Sequence, residues 1–237
     1  ATPTMSSTLI QQQRTWRAGF ANRFPIAIKY HSKNLKEISQ LTRRMMYKIN
    51  EIFYSLQGEG FWTGTPSIFI RFSGCNLQCA FCDTLHEEGK MISEEEILSI
   101  TKSFPAKHVV LTGGEPSLFV KETLLEKLHA QEKFIAIETN GTHELPKGID
   151  WITLSPKKDF QHKATPVLKH CDELKIVYTN TEFNPYLDIE TKHRYLQPCD
   201  TGNLAENKKI LQATIDFIKA NPSWQLSLQI HKIIGVQ

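Results

Sequence analysis

Residues 74–82 read Gly74-Cys75-Asn76-Leu77-Gln78-Cys79-Ala80-Phe81-Cys82. Three residues separate the first two cysteines, two separate the second pair, and the aromatic residue Phe81 precedes the last cysteine. A 4Fe-4S cluster fully ligated by protein takes four thiolates. This stretch supplies three, so it predicts a cluster in which one iron is left open to another ligand.

Other uses of cysteine have to be compared with this one. Structural zinc takes four ligands, usually from two pairs. Cys171 and Cys199 could complete such a set, but they stand singly in apolar stretches where buried thiols are common. A disulfide framework is disfavoured because the chain is long, has five cysteines and shows nothing like a secretory hydrophobic region. The cysteines therefore indicate a reducing compartment, and we expect a cytoplasmic protein.

Composition bounds the function classes. The chain has 237 residues, 40% of them hydrophobic, which is enough for one well-packed domain, and it contains no apolar run that would span a bilayer. The net charge of +3 is uneven, with about +7 on residues 1–45 and −4 on the remainder. The mildly acidic main part predicts no direct nucleic-acid partner. The lack of a bilayer-spanning run predicts no membrane partner.

Residues 1–45 are basic, rich in Gln, Ser and Thr, and without convincing periodicity. We expect them to be an N-terminal extension outside the functional domain, which would occupy residues 46–237. Three interpretations stay open: an upstream extension with the natural start at Met45 or Met46, an organellar presequence, or a disordered or loosely docked arm.

From residue 46 onward, short β-rich runs alternate with helical patterns, which is typical of βα repetition. Strands are predicted at 47–54, 67–72, 108–111, 134–137, 151–154, 174–178, 195–196 and 226–230. Helices are predicted at 93–103, where Ser93 and Glu96 form a capping box, at 118–131 and at 203–221. These units are too few for an eight-fold barrel. The expected fold is α/β, an incomplete, open (β/α) barrel with a mostly parallel sheet.

Polar residues follow the predicted strands, where ligand sites of parallel βα folds lie. Each cluster alone is typical of a turn, but together with the cysteines they predict one pocket. The clusters are Arg71 with the cysteine stretch, Thr112-Gly113-Gly114-Glu115-Pro116, Glu138-Thr139-Asn140-Gly141, Ser155-Pro156-Lys157 and Gln197-Pro198-Cys199-Asp200.

The cysteine spacing resembles the signature of radical S-adenosylmethionine enzymes, and the chain from Met46 to its end resembles one family among them, the 7-carboxy-7-deazaguanine synthases. The most specific matches are the run from Glu51 to Gly60 (EIFYSLQGEG), the run from Pro66 to Arg71 (PSIFIR), Cys82-Asp83-Thr84, and the run from His231 to Gly235 (HKIIG). Other radical families share the cysteines and the Gly-Gly-Glu-Pro turn but not this set.

The resemblance implies a carbon-nitrogen lyase of queuosine and 7-deazapurine biosynthesis, a pathway that modifies tRNA. Its reaction converts 6-carboxy-5,6,7,8-tetrahydropterin to 7-carboxy-7-deazaguanine with loss of ammonia, by a ring contraction that begins with hydrogen abstraction at C6. The cofactors implied are a 4Fe-4S cluster, S-adenosylmethionine and Mg²⁺. The family also implies a homodimer and a reducing partner such as flavodoxin or ferredoxin.

The resemblance also implies residue roles. Cys75, Cys79 and Cys82 would hold the cluster. S-adenosylmethionine would lie against Phe81, with its ammonium at Gly113, Gly114 and Glu115, and its carboxylate, ribose and adenine at Ser155, Pro156, Lys157, Gln197, Pro198, Cys199 and Asp200.

The pterin would be bound by Leu56, Gln57 and Gly58 along its edge, by Arg71 at its carboxylate, and by Thr112, Glu138, Asn140 and the C-terminal carboxylate of Gln237. Thr84 would bind magnesium.

Two other functions stay open. A glycyl-radical enzyme activase would share the cluster and the Gly-Gly-Glu-Pro turn, but it has no reason to keep the Leu-Gln-Gly-Glu-Gly run and the arginine of the 67–72 strand. A non-enzymatic iron–sulfur or zinc protein would show four protein ligands or no cofactor cleavage.

Overall fold

The computed structural model describes residues 46–82 and 88–236. The predictions for residues 1–45, Thr84 and Gln237 lie outside the described residues. The division of the chain at residue 46 therefore stays a prediction.

The described residues form nine strands and four α-helices. The strands are Met46–Leu56 (β1), Pro66–Phe72 (β2), Lys90–Ser93 (β3), His108–Gly113 (β4), Phe134–Thr139 (β5), Trp151–Leu154 (β6), His170–Tyr178 (β7), Glu190–Pro198 (β8) and Gln225–Leu226 (β9). The helices are Glu94–Ser103 (α1), Glu122–Ala130 (α2), Leu204–Ala220 (α3) and Ile230–Ile234 (α4), and a 3₁₀ turn covers Pro116–Leu118.

All nine described strands belong to one sheet, in the order β3-β1-β2-β4-β5-β6-β7-β8-β9. β1 pairs antiparallel with β2, whereas every neighbouring pair from β2 to β9 is parallel. β3 and β9 are the two edges, so hydrogen bonds do not close the sheet. The predicted α/β fold with an open, mostly parallel sheet is confirmed.

Successive side chains of the central strands point alternately to the two faces of the sheet, and each face has its own apolar cluster. Ile68 and Ile70 of β2 are fully buried in a large core that also contains Ile97 of α1 and Leu124 and Leu128 of α2. The intervening Phe69 accordingly packs in a separate cluster with Val110, Ala136 and Trp151. A further core packs β7 and β8 against α3.

Local signals set the helix boundaries well. The side chain of Ser93 accepts a hydrogen bond from the amide of Glu96, so it caps α1 as predicted. Asn203 accepts from the amides of Ala205 and Glu206 and caps α3. Both helices therefore begin within one residue of the predicted position. The predicted helix at 118–131 begins later, because the 3₁₀ turn of Pro116–Leu118 precedes it.

Four strands differ clearly from the prediction. β7 begins at His170, four residues before its predicted start. β8 extends over nine residues instead of two, because its polar first half pairs with β7 from Glu190 onward. The predicted strand at 226–230 is wrong beyond Leu226. There the chain leaves the sheet, and the amide of Ile230 donates to the carbonyl of Gly58 at 3.0 Å as α4 begins. Short β3 was not predicted.

None of the helices in the described ranges combines the length and apolar character needed to cross a bilayer.

Candidate active site

A cavity of about 690 Å³ opens where the predicted clusters meet. Of the predicted site residues that the structure describes, all but Pro156 line this cavity. They come from the ends of β1, β2, β4, β5, β6 and β8, which are far apart in the sequence. The side chain of Pro156 is buried beside them but does not contribute to the lining. The parallel sheet therefore brings the separate clusters to one place.

The segment after β1 contacts β7 and the residues that follow β9, which lie on the other side of the sheet order. Gly58 accepts the hydrogen bond from α4, the amide of Gly60 donates to the Ser227 hydroxyl just after β9 at 3.0 Å, and the amide of Phe61 donates to Glu173 of β7 at 3.1 Å. Residues 57–61 thus bridge the gap that the open sheet leaves. This contact places Gln57, Gly58 and Glu59 in the cavity wall.

The cysteine loop forms another wall, with Cys75, Cys79 and Cys82 all lining the cavity. The amide of Cys82 donates to the carbonyl of Cys79 at 3.1 Å, and the amide of Leu77 donates to Cys75 Sγ at 3.4 Å. Phe81 packs edge-on against Phe160, with 4.5 Å between ring centroids. Burial raises the pKa of the Cys75 and Cys79 thiols.

The donor set fits an iron–sulfur cluster. Among residues 46–82 and 88–236, no three His, Cys, Asp or Glu side chains converge as they would on a single metal ion. A cubane instead takes each thiolate on a different iron, so it needs three thiols on one wall and not at one point. Cys199 also lines the cavity, but its charged neighbours are Asp200, Glu206 and Lys232, whereas Cys75 lies near Cys79 and Cys82.

The Gly-Gly-Glu-Pro turn is fastened to the start of the cysteine loop. The amide of Gly114 donates to the carbonyl of Phe72 at 3.0 Å, and the amide of Glu115 donates to the carbonyl of Gly74 at 2.9 Å. A Cβ on Gly113 would run into the backbone of Phe72, and one on Gly114 into the backbone of Gly74. Glycine is required here because the two loops touch through their main chains.

Glu115 ties this turn to the next one. Its side chain is 1% exposed. Its carboxylate accepts hydrogen bonds from Thr139 Oγ1 at 2.6 Å, from the Asn140 amide at 2.7 Å and from the Ser117 amide at 3.1 Å. The Asn140 side chain then donates to Asn76 Oδ1 at 3.0 Å. The β4 turn, the β5 turn and the cysteine loop therefore form one hydrogen-bonded rim.

The Lys157 side chain, which also lines the cavity, contacts Ser155 of the same loop. Its Nζ donates to the carbonyl oxygen of Ser155 at 2.7 Å and to Ser155 Oγ at 2.6 Å. Burial lowers the pKa of Lys157 to about 8. Gln197 is buried and accepts from the Ser227 hydroxyl at 2.8 Å. Hydrogen bonds from the Gly202 amide, Lys232 and Asn207 lower the pKa of Asp200 to about 2.

Gln57 and Arg71, both predicted to bind the pterin, are held by carboxylates. Gln57 Nε2 donates to Glu138 Oε1 at 2.9 Å. Arg71 Nε donates to Glu51 Oε1 at 2.8 Å, and its guanidinium lies over the Phe53 ring at 5.7 Å. The ion pair and the aromatic face hold the arginine in one orientation at the cavity wall.

Sequence reasoning missed several residues of the lining, among them Glu59, Lys175, Gln229, His231 and Lys232. Lys175 could have been recognised from the sequence, because a charged residue inside the apolar run Leu174-Lys175-Ile176-Val177 indicates a buried charge. Glu59 and His231 lie in motif segments but had no assigned role. Their partners are remote in sequence, so no local pattern pointed to them.

Known proteins resemble this chain along the same segments. The Radical SAM superfamily model matches residues 69–171, from β2 into β7, which include the cysteine loop and the Gly-Gly-Glu-Pro turn. The 7-carboxy-7-deazaguanine synthase of Bacteroides thetaiotaomicron is 48% identical over 193 residues, covering 81% of this chain and 100% of that protein. The synthase of Haemophilus influenzae is 42% identical over 200 residues, covering 81% and 94%.

The chain belongs to the 7-carboxy-7-deazaguanine synthase family. The crystal structure of QueE from Escherichia coli agrees in fold, with a TM-score of 0.63, 28% identity and coverage of 81% of this chain and 98% of that one. Members of this radical S-adenosylmethionine family are enzymes that use a 4Fe-4S cluster and S-adenosylmethionine. The cysteine loop supplies thiols for the cluster, and the hydrogen-bonded rim around it supplies polar groups for S-adenosylmethionine.

Proposed function

We propose that this protein converts 6-carboxy-5,6,7,8-tetrahydropterin to 7-carboxy-7-deazaguanine and ammonia in queuosine and 7-deazapurine biosynthesis. The observation that carries the proposal is that three cysteines and a set of amide, carboxylate and guanidinium groups line the same cavity. Family membership gives the reaction. Substrate and product differ by ammonia alone, so the reaction needs no net oxidant.

We assign the cluster to Cys75, Cys79 and Cys82. When bound, the cluster and S-adenosylmethionine supply a primary carbon radical that removes a hydrogen atom from the substrate. The protein's own contribution is to hold both partners in place and to exclude water. Phe81 and the turn of Gly113, Gly114 and Glu115 would bind one end of S-adenosylmethionine.

The other end of S-adenosylmethionine would meet the Ser155–Lys157 loop and the run from Gln197 to Asp200. The carboxylate of Glu115 already receives three donors from its own loops. Its role is therefore to fix the turn, while backbone groups of the turn meet the ligand. Pro156 would act in the same indirect way, by shaping the loop from its buried position.

The pterin is flat, rich in donors and carboxylated, so a site for it needs hydrogen-bond acceptors and a cation, and this cavity has both. Gln57 and Glu138 would meet its donor edge, with Leu56 and Gly58 beside them. Arg71, held by Glu51, would bind its carboxylate. Thr112 and Asn140 complete this part of the site as further contacts.

Further parts of the proposal come from the family. Thr84 would bind Mg²⁺ as a hard oxygen ligand together with the substrate carboxylate and water, and the carboxylate of Gln237 would reach the substrate. We propose a cytoplasmic homodimer reduced by flavodoxin or ferredoxin, with no direct nucleic-acid or membrane partner.

The test is anaerobic reconstitution with iron and sulfide, followed by reductant, S-adenosylmethionine, Mg²⁺ and the pterin. Mass spectrometry is expected to show 7-carboxy-7-deazaguanine, with ammonia in equal amount. Formation of 5′-deoxyadenosine with an untouched pterin would overturn the substrate assignment and favour the activase alternative. No cleavage of S-adenosylmethionine by a fully loaded cluster would overturn the enzyme assignment.

A further inference from the structure

A buried ion cluster, centred on Lys175 of β7, lies in the wall of the cavity. The Lys175 side chain is 5% exposed. Its Nζ lies 2.5 Å from Glu59 Oε2 and 3.4 Å from Glu138 Oε2. Glu59 in turn accepts a hydrogen bond from Gln229 Nε2 at 3.0 Å. One lysine therefore joins the segment after β1, the end of β5 and the middle of β7.

The charges in this cluster depend on one another. Burial disfavours the Lys175 ammonium, but the carboxylates of Glu138, Glu59 and Glu173 outweigh burial and raise its pKa. Burial would likewise raise the pKa of Glu59, yet the lysine beside it holds that pKa well below the usual range. A cation at this point is what keeps several carboxylates together in a site shielded from water.

The ion cluster around Lys175 also fixes the direction of the Glu138 carboxylate. Gln57 donates to its Oε1, and Lys175 contacts its Oε2, so both oxygens are held at the same time. The Glu138 side chain is still 25% exposed and lines the cavity. Each carboxylate oxygen has two acceptor positions. A carboxylate held in this way can still accept two parallel N–H groups from the ring edge of a pterin.

We propose that Lys175 is a positioning residue that sets the orientation of Glu138 toward the donor edge of the pterin, with Glu59 as the counter-anion that holds the lysine. The inference rests on the proposed function, because it takes the pterin as the ligand. Lys175 acts through Glu138 and Glu59. Replacing Lys175 should impair pterin binding without impairing assembly of the 4Fe-4S cluster.

The first test replaces Lys175 by methionine in the reconstituted enzyme. For Lys175→Met we expect a rise of about tenfold or more in KM for the pterin, and a similar loss of affinity for 6-carboxypterin, an oxidised analogue, in equilibrium dialysis. The visible absorbance of the 4Fe-4S cluster in this variant should match that of the wild type. Lys133→Met is the matched control, because Lys133 is also buried but donates to the carbonyls of Phe104 and Ala106.

A second variant separates positioning from folding. Lys175→Met alone leaves buried carboxylates without a cation and can lower the melting temperature. Lys175→Met combined with Glu59→Gln removes one charge of each sign, so its melting temperature should return toward that of the wild type. We expect its affinity for 6-carboxypterin to stay about tenfold weaker or more, because Glu138 has still lost its lysine.

The outcomes distinguish the two proposals. If the double variant folds well and binds 6-carboxypterin like the wild type, Lys175 is a structural residue and the inference fails. If the wild type makes no 7-carboxy-7-deazaguanine and does not bind 6-carboxypterin, the proposed function fails. Weakened binding in the double variant, with Lys133→Met unchanged, supports the positioning role.

Discussion

The side-chain amide of Gln57 donates to Oε1 of Glu138 at 2.9 Å, although 81 positions separate the two residues in the chain. The contact joins the segment after β1 to the end of β5. Both residues line the cavity, and Glu138 also contacts Lys175. The orientation of this carboxylate is therefore fixed before any ligand arrives, which is the arrangement that lowers the entropy cost of binding.

Replacing Glu138 by glutamine should weaken substrate binding. Glutamine keeps the shape but loses the charge, and its NH₂ group would face donors that the carboxylate accepts from. We expect KM for the pterin to rise by about 10- to 100-fold, equivalent to about 1.5 to 3 kcal/mol. Steady-state kinetics with the reconstituted enzyme measures this. Glu132→Gln, on an exposed ion pair with Lys107, is the control. An unchanged KM in Glu138→Gln would remove Glu138 from the substrate site.

Gly114→Ala should disrupt the rim without touching a cysteine. The added methyl group would meet the backbone of Gly74, so either the turn or the cysteine loop has to move. We expect a strong loss of S-adenosylmethionine cleavage, measured as 5′-deoxyadenosine released. Gly64→Ala is a stringent control, because its Cβ meets open space while its φ of +84° already disfavours alanine. Equal release of 5′-deoxyadenosine by the two variants would show that the contact between Gly114 and Gly74 is not required.

Stability should fall in mild acid because of His108. Burial lowers the pKa of this imidazole to about 4, against about 6.5 in an unfolded chain. Between these pH values the histidine is protonated in the unfolded state but neutral in the folded state. The contribution of His108 to the free energy of unfolding is therefore fully present above pH 6.5 and decreases toward pH 4. From pH 7 to pH 4 the wild type should lose about 3 kcal/mol more free energy of unfolding than His108→Gln. Parallel pH profiles in urea denaturation would contradict this.

Glu94 should matter for stability and not for catalysis. Its carboxylate is completely buried and lies 2.6 Å from Lys127 Nζ, and it accepts hydrogen bonds from the Tyr47 hydroxyl at 3.1 Å and the Thr123 hydroxyl at 3.2 Å. Glu94→Ala should lower the free energy of unfolding by about 3 kcal/mol, because the buried Tyr47 hydroxyl and the Thr123 hydroxyl both lose their acceptor.

The matched control for this variant is Glu95→Ala. Glu95 is largely exposed and lies 3.7 Å from the same lysine, so its loss should change the free energy of unfolding by less than about 1 kcal/mol. Urea denaturation measures both variants. Similar losses in the two would show that burial of Glu94 has no special effect.

Much of the fold was predictable because the signals for many strands and helix starts are local. The run before the cysteine loop is apolar on both faces, as a central parallel strand must be, and Ser93 and Asn203 mark helix starts by their caps. The polar clusters follow strand ends, so the parallel sheet alone brings them together. Most of the cavity lining could be predicted for that reason.

The remaining features depend on contacts between distant residues. Lys175 and Glu59 are 116 positions apart, and no periodicity relates them. The alternation Leu226-Ser227-Leu228-Gln229-Ile230 is typical of a strand, yet the hydrogen bond from Ile230 to Gly58 turns the chain into α4. The charged first half of β8 conceals a strand that its pairing with β7 stabilises.

We expect the radical formed in this cavity to take a hydrogen atom from C6 of the pterin. The most direct measurement uses 6-carboxy-5,6,7,8-tetrahydropterin deuterated at C6 and follows the label by mass spectrometry. If C6 is the hydrogen donor, deuterium will appear in the recovered S-adenosylmethionine and 5′-deoxyadenosine, together with 7-carboxy-7-deazaguanine as product. Product formation with no deuterium in either cofactor species would contradict this expectation.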